Sequence, residues 1–275
     1  MIVSIYSFML AVGQKDARAG FMLPGNDPNH IAIGSNFEFV GWVEGTNSSN
    51  QTAFRQSISL IDPEWGLATV HGFLENDADP NSRYTNIRVG FGSNYFNNPG
   101  EFQYAAEVIF HPTKDLALVR FDNPFTTITP VQRYLGDVQV GDEGYLVGYG
   151  NRQYVNDPIA TFTGDRRGGF DVVENSIFTD RFRTRFNESF ESGYRVFEMG
   201  GRNGDSGGAF IYNNLLSGVI DSASLSNTFG ASTFINRLDN TWIDSHVTSV
   251  PEPSSFLLIT IASGTLFRFR RRFIK

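Results

Sequence analysis

Apolar runs in this chain are short, and turn residues close them before a helical stripe can develop. Ile58-Ser59-Leu60-Ile61 gives way to Asp62-Pro63-Glu64-Trp65, and Asp115-Leu116-Ala117-Leu118-Val119-Arg120-Phe121 alternates as a half-buried strand does. Asn-rich turns, 28 glycines and 26 phenylalanines punctuate the rest. Many short strands with turn signals between them predict an all-β body, a sandwich or a barrel. Helical spacing emerges once, near the end, where Asp239-Asn240 can cap a segment holding Trp242, Ile243 and Val247. Setting aside both ends leaves roughly 230 residues, enough for two packed β-cores. There is no cysteine among the 275 residues, so those cores must supply stability without disulfides.

The chemistry concentrates in Gly204-Asp205-Ser206-Gly207-Gly208. Five fixed residues arise by chance in a chain of this length about once in ten thousand. A hydroxyl nucleophile is flanked by glycines that let backbone N–H groups converge, which acyl transfer requires. Serine is a weak nucleophile at neutral pH, so an imidazole base and an orienting carboxylate are needed elsewhere. The histidines are His30, His71, His111 and His246. His71, in Leu67-Ala68-Thr69-Val70-His71-Gly72, is the expected base, and His111, just ahead of Asp115, is its competitor. Asp115, opening its strand, is the expected carboxylate.

The order His71, Asp115, Ser206 and the surrounding blocks resemble the trypsin/chymotrypsin-like serine peptidases. Ser59 to Trp65 looks like that family's strand leading into the histidine. Val147-Gly148-Tyr149-Gly150 looks like its Gly-aromatic-Gly strand end, and Gly218-Val219-Ile220 like the strand after the nucleophile. The resemblance implies two antiparallel β-barrels, at about 37–128 and 131–247, the second closing on a C-terminal helix and the crossing running from Asn123-Pro124 to Pro130. The cleft between the barrels would hold the catalytic His71, Asp115 and Ser206, with the Gly204 and Ser206 N–H groups as oxyanion hole. Gly200, Asp221 and Ser222 would belong to the substrate pocket; with no carboxylate at Gly200, tryptic specificity is not expected. Departures from the family are equally plain. Gly72 and Arg202 stand where cysteines are common, and Ile31-Ala32-Ile33-Gly34, the nearest match to the start created by zymogen cleavage, follows His30 rather than a basic residue. Asp205 is therefore expected to find an internal partner.

At the far end, Val250-Pro251-Glu252-Pro253-Ser254 precedes the 12 mostly apolar residues Phe256 to Phe267, then Arg268, Arg270, Arg271, Arg272 and Lys275. This order resembles the PEP-CTERM sorting signal of exported bacterial proteins, which implies an exosortase-type processing enzyme and membrane association through residues 250–275. A helix of that apolar length reaches about 18 Å against a hydrocarbon core of about 30 Å, so the segment is a short anchor. Its arginines would stay cytoplasmic and the enzyme outside. The bland alternative is an amphipathic or disordered basic tail. Export also asks for a leader, and residues 1–19 offer the apolar Ile2 to Val12 and the small-x-small Ala17-Arg18-Ala19; the alternative is a first strand or a disordered leader.

Net charge is −7, and residues 1–250 alone carry 17 basic against 28 acidic side chains. So acidic a body disfavours nucleic acid as a partner. No Cys/His cluster or HExxH pattern suggests zinc, and catalysis is expected without cofactor or metal. Two classes of function remain: an exported serine endopeptidase acting on proteins or peptides, and a non-catalytic envelope or matrix-binding protein that keeps the peptidase fold.

Overall fold

The structure, a computed structural model, describes residues 20–154, 159–175, 179–187, 195–225 and 231–247. Within these, the strands fall into two closed barrels and one small pair. β1 (Gly20–Met22) and the helix α1 (Asp27–Gly34) come first, then β2 (Val40–Thr46), β3 (Thr52–Asp62), β4 (Trp65–Ala68), β5 (Thr85–Gly90), β6 (Phe102–Phe110) and β7 (Ala117–Phe121). β8 (Glu143–Gly148), β9 (Arg152–Tyr154), β10 (Arg167–Asn175), β11 (Arg181–Arg185), β12 (Ala209–Tyr212), β13 (Leu215–Leu225) and β14 (Ala231–Arg237) follow. The first barrel closes in the order β2-β3-β4-β7-β6-β5 and the second as β10-β11-β14-β13-β12-β8, both antiparallel; β1 pairs with β9 in parallel.

Alternation decides what each barrel encloses. On β3 and β7, Ile58, Leu60, Val119 and Phe121 point into the first core, which Val43, Phe73, Val89 and Phe91 fill. Leu146, Val173, Phe182, Phe210, Ile220 and Ile235 fill the second. Each such side chain, fully buried, contributes roughly 1.5–3 kcal/mol, which is how a chain without cross-links holds both barrels closed. Two arginines fasten α1 to the second barrel. Arg166 Nε donates to the Gly34 carbonyl (2.9 Å), and Arg167 Nε to Asp27 Oδ1 (2.6 Å). Sequence periodicity gave no sign of α1, and Ile31 lies inside it.

The crossing between barrels is stitched to both. Val131 N–H donates to the Leu60 carbonyl (3.0 Å) and Tyr134 N–H to that of Leu216 (2.8 Å). The chain up to Asn240 forms one unit holding both barrels, and Thr241–Lys275 forms a second. The helix α2 (Asn240–His246) runs into that second unit, where Ser245 Oγ donates to the Trp242 carbonyl (2.6 Å). The leader at 1–19 and the tail at 250–275 lie outside the described residues, and no described helix is long and apolar enough to cross a membrane.

Candidate active site

Strand pairing brings His71 and Asp115 together. β4 pairs with β7 so that Ala68 faces Ala117. His71, three residues beyond the first, then lies beside Asp115, two residues before the second. His71 opens a 3-10 turn, His71–Phe73. Asp115 Oδ1 accepts the N–H groups of Val70 (2.8 Å) and His71 (3.0 Å), which leaves Oδ2 facing His71 Nδ1 at 2.6 Å. Two backbone donors thus fix the carboxylate, and the carboxylate fixes the imidazole.

The nucleophile loop enters β12 from the second barrel. Gly204 (φ +93°) and Gly207 (φ +81°) take conformations that side chains resist, and a Cβ on Gly207 would meet the Ser57 carbonyl at 2.0 Å. Asp205 N–H donates to Arg202, Gly207 N–H to Ile220 and Gly208 N–H to Asp205 carbonyls, at 2.8–2.9 Å. The N–H groups of Gly204 and Ser206 donate to no acceptor among the described residues. Those are the two donors expected to meet an oxyanion. The loop is held from the first barrel by Ser57, whose N–H donates to the Ser206 carbonyl (2.8 Å) and whose Oγ donates to that of Gly204 (2.9 Å).

His71 and Ser206 line one cleft of about 430 Å³ with Arg55, Arg202, Asn203, Gly204, Asp221, Ser222 and Ala223. Ser206 Oγ donates to the Asp221 carbonyl (2.9 Å) and is not bonded to His71. Turning χ1 to another staggered rotamer is the motion that would redirect it, and such catalytic contacts often tighten only when substrate binds.

Asp221 reaches this site through a β-bulge. The β13–β14 register shifts between Ile220 and Ser222, so Asp221 is the extra residue. Its Oδ2 accepts from Arg181 Nη1 (3.0 Å), and a carboxylate oxygen of Asp221 lies within 4.8 Å of one of Asp115. Burial alone would lower the His71 pKa, but the hydrogen bond and charge of Asp115, with the charges of Asp221 and Asp77, raise it above the ordinary value. Burial works to raise Asp115, yet its bonds to His71 and Asp221 hold it below the usual range. Asp221 itself is pushed up to about 6 by burial and by the charge of Asp115. Ligand atoms of His71, Asp115 and Asp221 lie within 4.8 Å of one another, but His71 Nδ1 and Asp115 Oδ2 bond each other and Arg181 takes Asp221.

The structure treats the remaining sequence candidates unevenly. Of the three residues expected in the substrate pocket, Ser222 and Asp221 line the cleft, but the Asp221 carboxyl is drawn toward Asp115 and Arg181; Gly200 is buried and is not among the lining residues. His111 accepts the N–H groups of Thr113 (3.1 Å) and Lys114 (3.0 Å) and meets Asp239 at 3.3 Å. His30 is buried with Nδ1 on the Gly168 carbonyl, and His246 bonds Trp242 within α2. The buried Asp205 accepts the N–H groups of Gly150 (2.8 Å) and Arg202 (2.9 Å), an internal arrangement that uses no chain terminus. Beside His71, the amide of buried Gln56 bonds Thr69, and a Cβ on Gly72 would meet it at 2.1 Å. Ser57, Gln56 and Arg55 were not legible as site residues, since only the closing of the barrels carries them there.

The family model described as trypsin matches residues 44–243. The chain belongs to the trypsin family. This trypsin-family chain is 27% identical over 188 residues to an uncharacterized peptidase of Corynebacterium glutamicum strain R, covering 65% of this chain and 59% of that protein. A peptidase of strain ATCC 13032 gives the same identity and coverage. The chain therefore spans 59% of the length of these relatives. Among solved structures, neuropsin, a serine protease expressed in the limbic system of mouse brain, superposes with a TM-score of 0.57 at 15% identity, over 76% of this chain and 94% of its own. At that identity the likeness shows the two-barrel, chymotrypsin-like fold alone.

Proposed function

We propose that this trypsin-family chain is an exported serine endopeptidase working through an acyl-enzyme. The observation that carries the reading is the 2.6 Å contact of His71 Nδ1 with Asp115 Oδ2, in one cleft with Ser206. His71 Nε2 takes the Ser206 proton as Oγ bonds the peptide carbonyl carbon. Gly204 and Ser206 N–H groups receive the negative oxygen, each worth roughly 3–4 kcal/mol in comparable enzymes. Collapse breaks the C–N bond, His71 returns the proton to the leaving amine, and water later hydrolyses the ester by the same route. Asp115 keeps the imidazole in the productive tautomer.

Export rests on the sequence of the ends, the apolar leader within 1–19 and the Pro-Glu-Pro, apolar and arginine-rich order of residues 250–275. An exosortase-type enzyme would process that tail, and the domain would face the envelope or extracellular matrix. A second reading, a non-catalytic binder on the same fold, is favoured by the Ser206 hydroxyl bonding Asp221 rather than His71. A fluorophosphonate probe separates them. Labelling of the wild type and not of Ser206→Ala supports the peptidase; a folded protein that never labels supports the binder.

A further inference from the structure

We propose that Asp221 is a positioning residue of this site, a second carboxyl beside Asp115 that sets the charge felt by His71. The inference rests on the peptidase reading for its consequence in catalysis, and on geometry for its existence. Asp221 occupies a bulge, a device that re-aims a side chain and is common beside active sites. In regular alternation along β13 its side chain would share a face with its neighbours at 219 and 223; the extra residue frees it from that pattern. A carboxylate oxygen of Asp221 lies within 4.8 Å of one of Asp115 and of a His71 ring nitrogen, its Oδ2 accepts from Arg181 Nη1 at 3.0 Å, and its own carbonyl receives the Ser206 hydroxyl. One residue thus bonds the nucleophile and lies beside the carboxylate that orients the base.

Two carboxyls within 4.8 Å of each other and of an imidazole do not titrate as separate groups. When one proton lies between them, the donor is Asp221, because Asp115 is held ionised by His71 and by the N–H groups of Val70 and His71. When that proton leaves, a second negative charge faces His71. The charged groups around the cluster are His71, Asp115, Asp77 and Arg181, and Arg55 and Arg202 line the same cleft. Arg181 forms an ion pair with Asp221, so it tempers the added charge without removing it. The sign follows directly: the cluster binds its proton more tightly with Asp221 present than with a neutral residue there.

The test is the titration of the His71 imidazole by NMR in the full chain, assigned with His71→Gln, beside fluorophosphonate labelling rates against pH. In Asp221→Asn, the His71 midpoint and the acid limb of labelling should both fall by about 1 pH unit, the low end for loss of a nearby opposite charge. Removing the counter-charge with Arg181→Gln, a part-exposed site on β11, should move both upward. Asp221→Ala should repeat the downward shift and also lower the labelling plateau, because Asp115 loses the side chain packed beside it. A His71 midpoint unmoved in Asp221→Asn and in Arg181→Gln overturns the proposal. Because the NMR midpoint needs no turnover, a wild type that fails to label sinks the peptidase reading instead, and the two failures are distinguishable. A merely structural Asp221 would lower the melting temperature of its variants and leave the midpoint in place.

Discussion

Ser57 grips the segment that carries Ser206 at two points, its N–H on the Ser206 carbonyl at 2.8 Å and its Oγ on the Gly204 carbonyl at 2.9 Å. It also receives the Tyr149 N–H at 2.9 Å, so one small side chain on β3 of the first barrel joins two segments of the second. The carbonyls of 204 and 206 are drawn toward the first barrel. The N–H groups of the same two residues donate to no acceptor among the described residues.

Removing that grip should loosen the oxyanion site. Ser57→Ala loses two hydrogen bonds and leaves a buried N–H and carbonyl to find others, which costs about 1–3 kcal/mol. Urea unfolding should show a loss in that range, and kcat should fall about tenfold with KM little changed, because the donors matter most for the transition state. Unchanged kcat would show that Ser57 only adds stability.

His71→Ala should abolish most turnover, and Asp115→Asn should lower it by about 10⁴, the effect of the equivalent change in comparable enzymes. Circular dichroism should remain that of the wild type. Activity requires neutral His71, whose pKa Asp115 and Asp221 raise above the ordinary value of about 6.5. Turnover should therefore be lost as pH falls through a midpoint above that value, and a midpoint at or below it contradicts the assignment.

Gly72 is the space that Gln56 fills. A Cβ there would lie 2.1 Å from the Gln56 amide carbon, whose group is bonded to Thr69 and cannot swing away freely. Gly72→Ala should destabilise by about 1–3 kcal/mol, as overpacking does, and lower activity through the adjacent His71. The double variant Gln56→Ala/Gly72→Ala should be less damaged than the sum of the singles, measured by a thermodynamic cycle in urea.

Asp171 on β10 is fully buried, and burial, with the nearby charge of Glu198, pushes its carboxyl well above the usual range. The folded state therefore keeps a proton that the unfolded chain releases above about pH 4. Stability from this group is present at low pH and falls as pH rises toward the folded value. Asp171→Asn should melt with the wild type near pH 4 and about 2–4 °C higher at pH 8. Equal melting temperatures at both pH values would refute the buried acid.

The pairing of His71 with Asp115, the Ser206 loop and the two-barrel body were legible because they rest on local pattern: a fixed pentapeptide, short alternating runs, and two side chains just beyond the end of β4 and just before the start of β7. Asp221 was legible only as a residue near the pocket. Its aim depends on a register shift between β13 and β14, and nothing in Gly218-Val219-Ile220-Asp221-Ser222 marks which residue the bulge takes up. Ser57 and Gln56 read as ordinary polar positions in an alternating strand, since their partners lie from 13 residues away to as far along the chain as Ser206. The helix α1 escaped notice because Ile31 to Gly34 carries no apolar stripe, and its anchors, Arg166 and Arg167, come from another part of the chain.

Acylation requires Ser206 to leave the Asp221 carbonyl and work between His71 and the N–H groups of Gly204 and Ser206. A crystal structure of the phosphonylated protein tests this most directly. It should show phosphorus on Ser206 Oγ, and the phosphonyl oxygen at about 2.7–3.1 Å from both nitrogens. An adduct whose oxygen points into solvent, away from both N–H groups, would contradict it.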